Sequence, residues 1–90
     1  MRVGRSVRVL GRVQGVFFRA WTAEQARVLG VAGWARNALD GSVEAHLVGE
    51  EDAVSKLIDR MRRGPSGARV ERVEVEAVEP EASDRFEVRH

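Results

Sequence analysis

The chain has no cysteine, no tyrosine, a single lysine, two prolines and no long apolar run. Without cysteine it can form no disulfide framework, no thiolate nucleophile and no cysteine-ligated zinc site. No apolar segment has the length of a signal peptide or a membrane span. We therefore expect a cytoplasmic protein with no membrane partner.

The chain also has no large excess of charge of one sign, because 15 basic side chains stand against 14 acidic ones and the two signs are interspersed along the chain. Such a balance predicts no nucleic-acid partner, since nucleic-acid binding needs a concentrated basic surface. His46 and His90 are the only imidazoles, and neither has an acidic neighbour at the spacing of a metal site. We expect both histidines on the surface, no bound metal and no cofactor.

Ninety residues with 43% hydrophobic content predict a single domain over residues 1–90. Apolar stripes at helical spacing predict helices over Phe18 to Leu29 and Glu50 to Arg63. Alternating segments predict strands over residues 6–13, 31–37, 42–48, 68–78 and 86–88, with Asp40-Gly41 as a hairpin turn. A βαββαβ order of this size favours the α+β, ferredoxin-like sandwich, in which a four-stranded antiparallel sheet carries two helices on one face.

The turn between the first strand and the first helix has the composition of an anion-binding loop. Gly15 can adopt a positive φ without steric cost, and Arg19 lies in the first helical turn. Inward-pointing N–H groups of such a turn, together with the unpaired donors of the helix N-terminus, suit a phosphate-sized anion. Glycine-containing turns of this kind are also common without any ligand, and a first-turn arginine is often only solvated.

Asn37 ends the second strand, directly before the hairpin. Asparagine at such a place often hydrogen-bonds its own backbone to form the turn. The alternative is that its amide, which has an acceptor oxygen and two donor hydrogens, holds a water molecule. In the sandwich topology its strand lies near the first turn, so that water could reach a phosphate bound there. We expect Phe17 and Trp34 to pack in the core rather than to contact substrate.

Two separated motifs closely resemble those of the acylphosphatase family, and the resemblance covers nearly the whole chain. The first motif matches Gly11, Val13, Gln14, Gly15, Val16, Phe18 and Arg19, and the second matches Gly33, Trp34, Asn37, Gly41, Val43 and Glu44. The resemblance implies hydrolysis of the carboxyl-phosphate bond of acyl phosphates. It also implies that Arg19 and Asn37 are the catalytic residues. The phosphate-binding loop that it implies consists of Gln14, Gly15, Val16, Phe17, Phe18 and Arg19.

From this activity we expect inorganic phosphate to be both product and competitive inhibitor, and we expect a monomer. Two other functions remain open. One is a catalytically silent sandwich that binds a ligand or RNA through its sheet. The lack of tyrosine, and Glu71, Glu74 and Glu76 on the fourth strand, disfavour RNA recognition. The other is the acylphosphatase-like domain that begins hydrogenase maturation proteins. Those proteins continue into cysteine-rich zinc modules, which this chain lacks.

Overall fold

A computed structural model describes residues 1–90, which form one five-stranded sheet and two helices. The elements are β1 (Arg2–Arg12), α1 (Phe18–Leu29), β2 (Ala32–Asn37), β3 (Val43–Glu50), α2 (Glu51–Arg63), β4 (Arg69–Val78) and β5 (Phe86–Arg89). The strands lie in the order β4-β1-β3-β2-β5. Neighbouring strands are antiparallel except for β2 and β5. The ferredoxin-like prediction is thus confirmed, but the sheet has a fifth strand, which runs parallel to its neighbour.

The first strand is longer than the sequence predicts, because it begins at Arg2 rather than Ser6. Arg2 and Gly4 pair with Glu50 and Val48 of β3, which itself continues to Glu50. Arginine and glycine at these positions hide the apolar alternation from which a strand is predicted. The extra pairs are made across the sheet, so local sequence does not indicate them.

Both helices cover one face of the sheet and share a single core with it. Most of the predicted stripes is buried, namely Phe18, Thr22 and Ala26 of α1 and Val54, Leu57, Ile58 and Met61 of α2. Leu29 and Ala53, predicted to belong to the same stripes, are half-buried at the edge of the core. From the strands, the core takes Val7 and Val9 of β1 and Val43, Ala45 and Leu47 of β3. Neither helix has both the length and the apolar character needed to cross a bilayer.

A β-bulge interrupts the pairing of β1 with β4 near the end of β1. The register between β1 and β4 shifts at Leu10 and Gly11, and Gly11 has a φ of 129°. A Cβ atom at this position would overlap the carbonyl oxygen of Arg69. Bulges re-aim the chain where they occur, and this one lies at the end of β1, shortly before the loop of residues 13–17.

The connection between β4 and β5 covers part of the other face of the sheet, since these strands lie on opposite edges. There, Glu81 donates its backbone N–H to Nε2 of His46 at 3.4 Å, and Trp34 stacks on the His46 ring at 6.3 Å between centroids. His46 is therefore only 7% exposed. The prediction of a surface histidine was wrong for His46, because it took no account of a loop crossing this face.

Candidate active site

The loop between β1 and α1 reverses the chain through two left-handed residues, Gly15 (φ 76°) and Phe17 (φ 60°). None of the backbone N–H groups from Gln14 to Ala20 donates a hydrogen bond to another group of the protein. No side chain caps α1, and its first turn contains no acidic residue. The first turn of α2, in contrast, carries two acidic residues. The N-terminus of α1 therefore keeps its free donors and its partial positive charge for an external anion.

Arg19 and Asn37 lie on the walls of the same pocket, which has a volume of about 430 Å³. Their convergence there is the spatial relation that the two sequence motifs require. The pocket is lined by Val13, Gly15, Phe17, Phe18, Arg19, Ala20, Asn37, Val88 and His90. It therefore combines apolar walls with a cation, an amide and the open backbone of the loop.

The Arg19 guanidinium reaches from the first turn of α1 to the end of β5. Its Nη1 donates to the carbonyl oxygen of Arg89 at 2.6 Å and lies 3.3 Å from Nδ1 of His90. No carboxylate forms an ion pair with Arg19. Because a guanidinium has five N–H donors in a planar fork, several remain for the oxygens of a bound anion.

Asn37 is exposed at the end of β2, and its side chain makes no hydrogen bond within the protein. The hairpin turn is instead held by Asp40, whose Oδ1 accepts hydrogen bonds from the backbone N–H of Ser42 at 3.0 Å and from its Oγ at 2.6 Å. The alternative in which Asn37 forms the turn is therefore wrong. Its amide is free to bind a water molecule or a ligand at the pocket.

Gln14 joins the two halves of the site through its side chain, a role that the sequence analysis missed. Its Nε2 donates to the carbonyl oxygens of Ala38 at 2.8 Å and Ser42 at 2.9 Å. These bonds tie the loop that precedes Arg19 to the hairpin that follows Asn37. The only signal for this in the sequence is a long amide side chain between a strand and a turn glycine.

The structure corrects the expectation for Phe17 and gives His90 a place at the pocket that was not expected. Phe17 is 84% exposed at the pocket and does not pack in the core, because its left-handed backbone turns it outward. His90 is exposed, as expected, and it also lines the pocket. Nothing local marks His90 in the sequence, since its place depends on β5 pairing beside β2.

Trp34 does not pack in the core as expected, because it lies half-buried on the face of the sheet opposite the pocket. The guanidinium carbons of Arg36 and Arg89 lie 5.2 and 4.8 Å from its ring centroid. Its Nε1 donates to Glu81 at 3.3 Å. On that face the Trp34 ring stacks on His46, and the arginine side chains lie over it. This face therefore lacks the series of open aromatic rings on which RNA bases stack. Arg36 points to the same face and pairs with Glu44 at 3.0 Å, away from the pocket as expected.

The fold and this pocket define a ferredoxin-like α+β protein with a partly polar pocket between the β1–α1 loop and the end of β2. The family model described as acylphosphatase matches residues 5–88. A protein named acylphosphatase from Mesorhizobium japonicum is 58% identical over 72 residues, which are 80% of this chain and 77% of that protein. An acylphosphatase structure from Coxiella burnetii is 36% identical with a TM-score of 0.94, and the match covers 98% of this chain and 93% of that one.

The chain belongs to the acylphosphatase family and is an enzyme that hydrolyses acyl phosphates. The same fold occurs in full-length HypF, crystallised in a phosphate- and nucleotide-bound form, with a TM-score of 0.93. That match covers 100% of this chain and only 12% of HypF. At 23% identity it shows a shared fold alone.

Proposed function

We propose that Arg19 and the backbone N–H groups of residues 14–20 bind the phosphoryl group of the substrate, while Asn37 orients the attacking water. The observation that carries this proposal is the shared pocket. Two polar side chains from separate motifs meet there beside seven consecutive N–H groups that have no partner in the protein. These donors lie at a helix N-terminus whose first turn has no acidic residue, an arrangement that favours a bound anion.

In this mechanism, the water oxygen attacks phosphorus and the bond from phosphorus to the bridging oxygen breaks. The acyl group leaves as a carboxylate, a weak base that departs without protonation, so no general acid is required. The transition state of phosphoryl transfer is loose and carries its charge on the equatorial oxygens. The Arg19 fork and the N–H groups stabilise that charge in fixed positions.

The proton released by the water has no side-chain base among the residues of the two motifs. We propose that an oxygen of the substrate phosphate accepts it, so that the products are a carboxylate and inorganic phosphate. Positioning and fixed positive charge then account for most of the rate. These steps need neither a metal ion nor a cofactor, and a chelator should leave the rate unchanged.

Three variants test the proposed roles by phosphate release from acetyl phosphate in the presence of a chelator. Arg19→Ala should remove most activity, and Asn37→Ala should lower kcat by about 10² to 10³, as the loss of one fixed charge-stabilising donor does. Arg36→Ala is the matched control, because Arg36 neighbours Asn37 but points to the other face of the sheet. Near-native turnover of either test variant would refute the role given to that residue.

Inorganic phosphate should inhibit competitively, since it fits the same donors as the phosphoryl group. We further propose a cytoplasmic monomer with a single domain over residues 1–90. Its balanced charge and cysteine-free composition suit a reducing compartment without a fixed partner. Light scattering after gel filtration tests the monomer, since a dimer would double the measured mass. Cell fractionation tests the location.

A further inference from the structure

Phe17 combines a strained backbone with an exposed aromatic ring. It is the only residue other than glycine with a positive φ, at 60°, and its ψ is 28°. Side chains with a Cβ atom pay a steric cost in this conformation, which glycine avoids. The ring is 84% exposed and so adds little to the stability of the core. Strained residues of this kind persist mainly at functional sites.

The Phe17 ring borders the pocket next to the proposed phosphate-binding donors. Val13, Phe18, Ala20 and Val88 provide the other apolar lining, while Arg19 and Asn37 provide the charged and polar groups. At about 430 Å³ the pocket lies within the range of sites that hold whole small molecules, roughly 300–1,000 Å³. A phosphoryl group alone would therefore leave part of the pocket, and its apolar wall, unused.

We propose that the Phe17 ring packs against the acyl group of the substrate and makes the enzyme prefer aromatic and extended apolar acyl phosphates to acetyl phosphate. The inference rests on the proposed function, because the phosphoryl group must occupy the donors of residues 14–20 for the acyl group to lie beside Phe17. An aromatic ring against an apolar group gains contact area and, with an aromatic acyl group, a favourable ring pair. Acetyl phosphate has one methyl group to offer and gains little from that contact.

The test compares kcat/KM for benzoyl phosphate with kcat/KM for acetyl phosphate in the native enzyme and in Phe17 variants. Phe17→Ala should lower the ratio of the two values about tenfold, the lower end of the discrimination that an apolar subsite provides. The loss should come mainly from a higher KM for benzoyl phosphate. Phe17→Tyr keeps the ring and should keep the ratio.

Two further variants separate the ring from the backbone. Phe17→Gly removes the ring and also relieves the positive-φ strain, so it should lower the ratio as Phe17→Ala does while its Tm stays at or above that of Phe17→Ala. Leu39→Ala is the matched control, since Leu39 is fully exposed in the neighbouring hairpin but does not line the pocket. It should keep the native ratio.

An unchanged ratio in Phe17→Ala and Phe17→Gly would overturn the inference. This holds whether both kcat/KM values stay native or both fall equally, because neither result depends on the acyl group. Failure of the proposed function has a different signature. It would appear as Arg19→Ala retaining phosphate release from acetyl phosphate, whatever the ratio in the Phe17 variants.

Discussion

Replacing Gln14 by alanine tests whether the loop and the hairpin must be held together for catalysis. The substitution removes two hydrogen bonds, to the carbonyl oxygens of Ala38 and Ser42. Each carbonyl keeps one partner, because Ala38 still accepts from the N–H of Gly41 and Ser42 from the N–H of Ala38. With net values of about 0.5–1.5 kcal/mol for a hydrogen bond and no orphaned carbonyl, we expect a loss of about 1–2 kcal/mol in the free energy of unfolding.

For a domain of this size, each kcal/mol lowers Tm by about 4–8 °C, so Gln14→Ala should melt roughly 5–15 °C below the native protein. The kinetic effect should be specific. We call the two Gln14 hydrogen bonds the Gln14 clamp. Arg19 and the N–H groups of the loop lie together on one side of this clamp, while Asn37 lies on the other. Inhibition by inorganic phosphate should therefore change little, whereas kcat should fall tenfold or more, because displacements of about 1 Å cost up to about 10²-fold.

Gln25→Ala is the matched control, since Gln25 accepts a hydrogen bond of 2.7 Å from Arg60 between the two helices and does not line the pocket. Thermal melting, kcat and the inhibition constant of phosphate are measured for both variants at a temperature where both remain folded. If kcat falls no further in Gln14→Ala than in Gln25→Ala, the Gln14 clamp does not align Asn37 with Arg19 and the loop. If the inhibition constant rises as much as kcat falls, Gln14 shapes the phosphate loop itself rather than its distance from Asn37.

Three further predictions follow from single contacts. Gly11→Ala should lower Tm by about 10 °C or more. The new Cβ atom would overlap the Arg69 carbonyl oxygen at a positive φ, and such a backbone clash costs a few kcal/mol. An unchanged melting curve would mean that the bulge rearranges freely. Asp40→Ala should lose about 1 kcal/mol of stability in denaturant unfolding, since its carboxylate holds Ser42 in the hairpin turn; unchanged stability would mean that the turn holds without it. Phosphate at 100 times its Kd should raise the free energy of unfolding of the native protein, measured in denaturant, by about 2.7 kcal/mol. An equal rise in Arg19→Ala at the same phosphate concentration would argue against binding by the guanidinium.

Much of the fold could be predicted because its signals are local. The stripe through Phe18, Thr22 and Ala26 has helical spacing, and Asp40-Gly41 stands between two alternating segments, so helix and hairpin follow from neighbouring residues. The two motifs likewise predicted that distant parts of the chain would meet, and Arg19 and Asn37 do line one pocket. Their roles in the reaction stay predictions until the variants are measured.

The features that were not predicted depend on how the chain crosses itself. His46 has the alternation of an outward residue, but the β4–β5 connection covers it. His90 reaches the pocket only because β5 pairs with β2. Phe17 has an apolar side chain, for which burial is the usual expectation, but the left-handed turn before α1 directs its ring to solvent. No neighbouring residue signals these placements, because each follows from strand order or from a backbone angle that tertiary structure imposes.

The most direct measurement of the central claim is an amide ¹H–¹⁵N NMR titration of the native protein with inorganic phosphate. The account predicts that the largest shifts fall on the backbone N–H groups of residues 14–20 and on the Arg19 side chain, and that Arg19→Ala weakens them at the same phosphate concentration. Shifts confined to other surfaces, or undiminished shifts in Arg19→Ala, would contradict binding of the phosphoryl group in this loop.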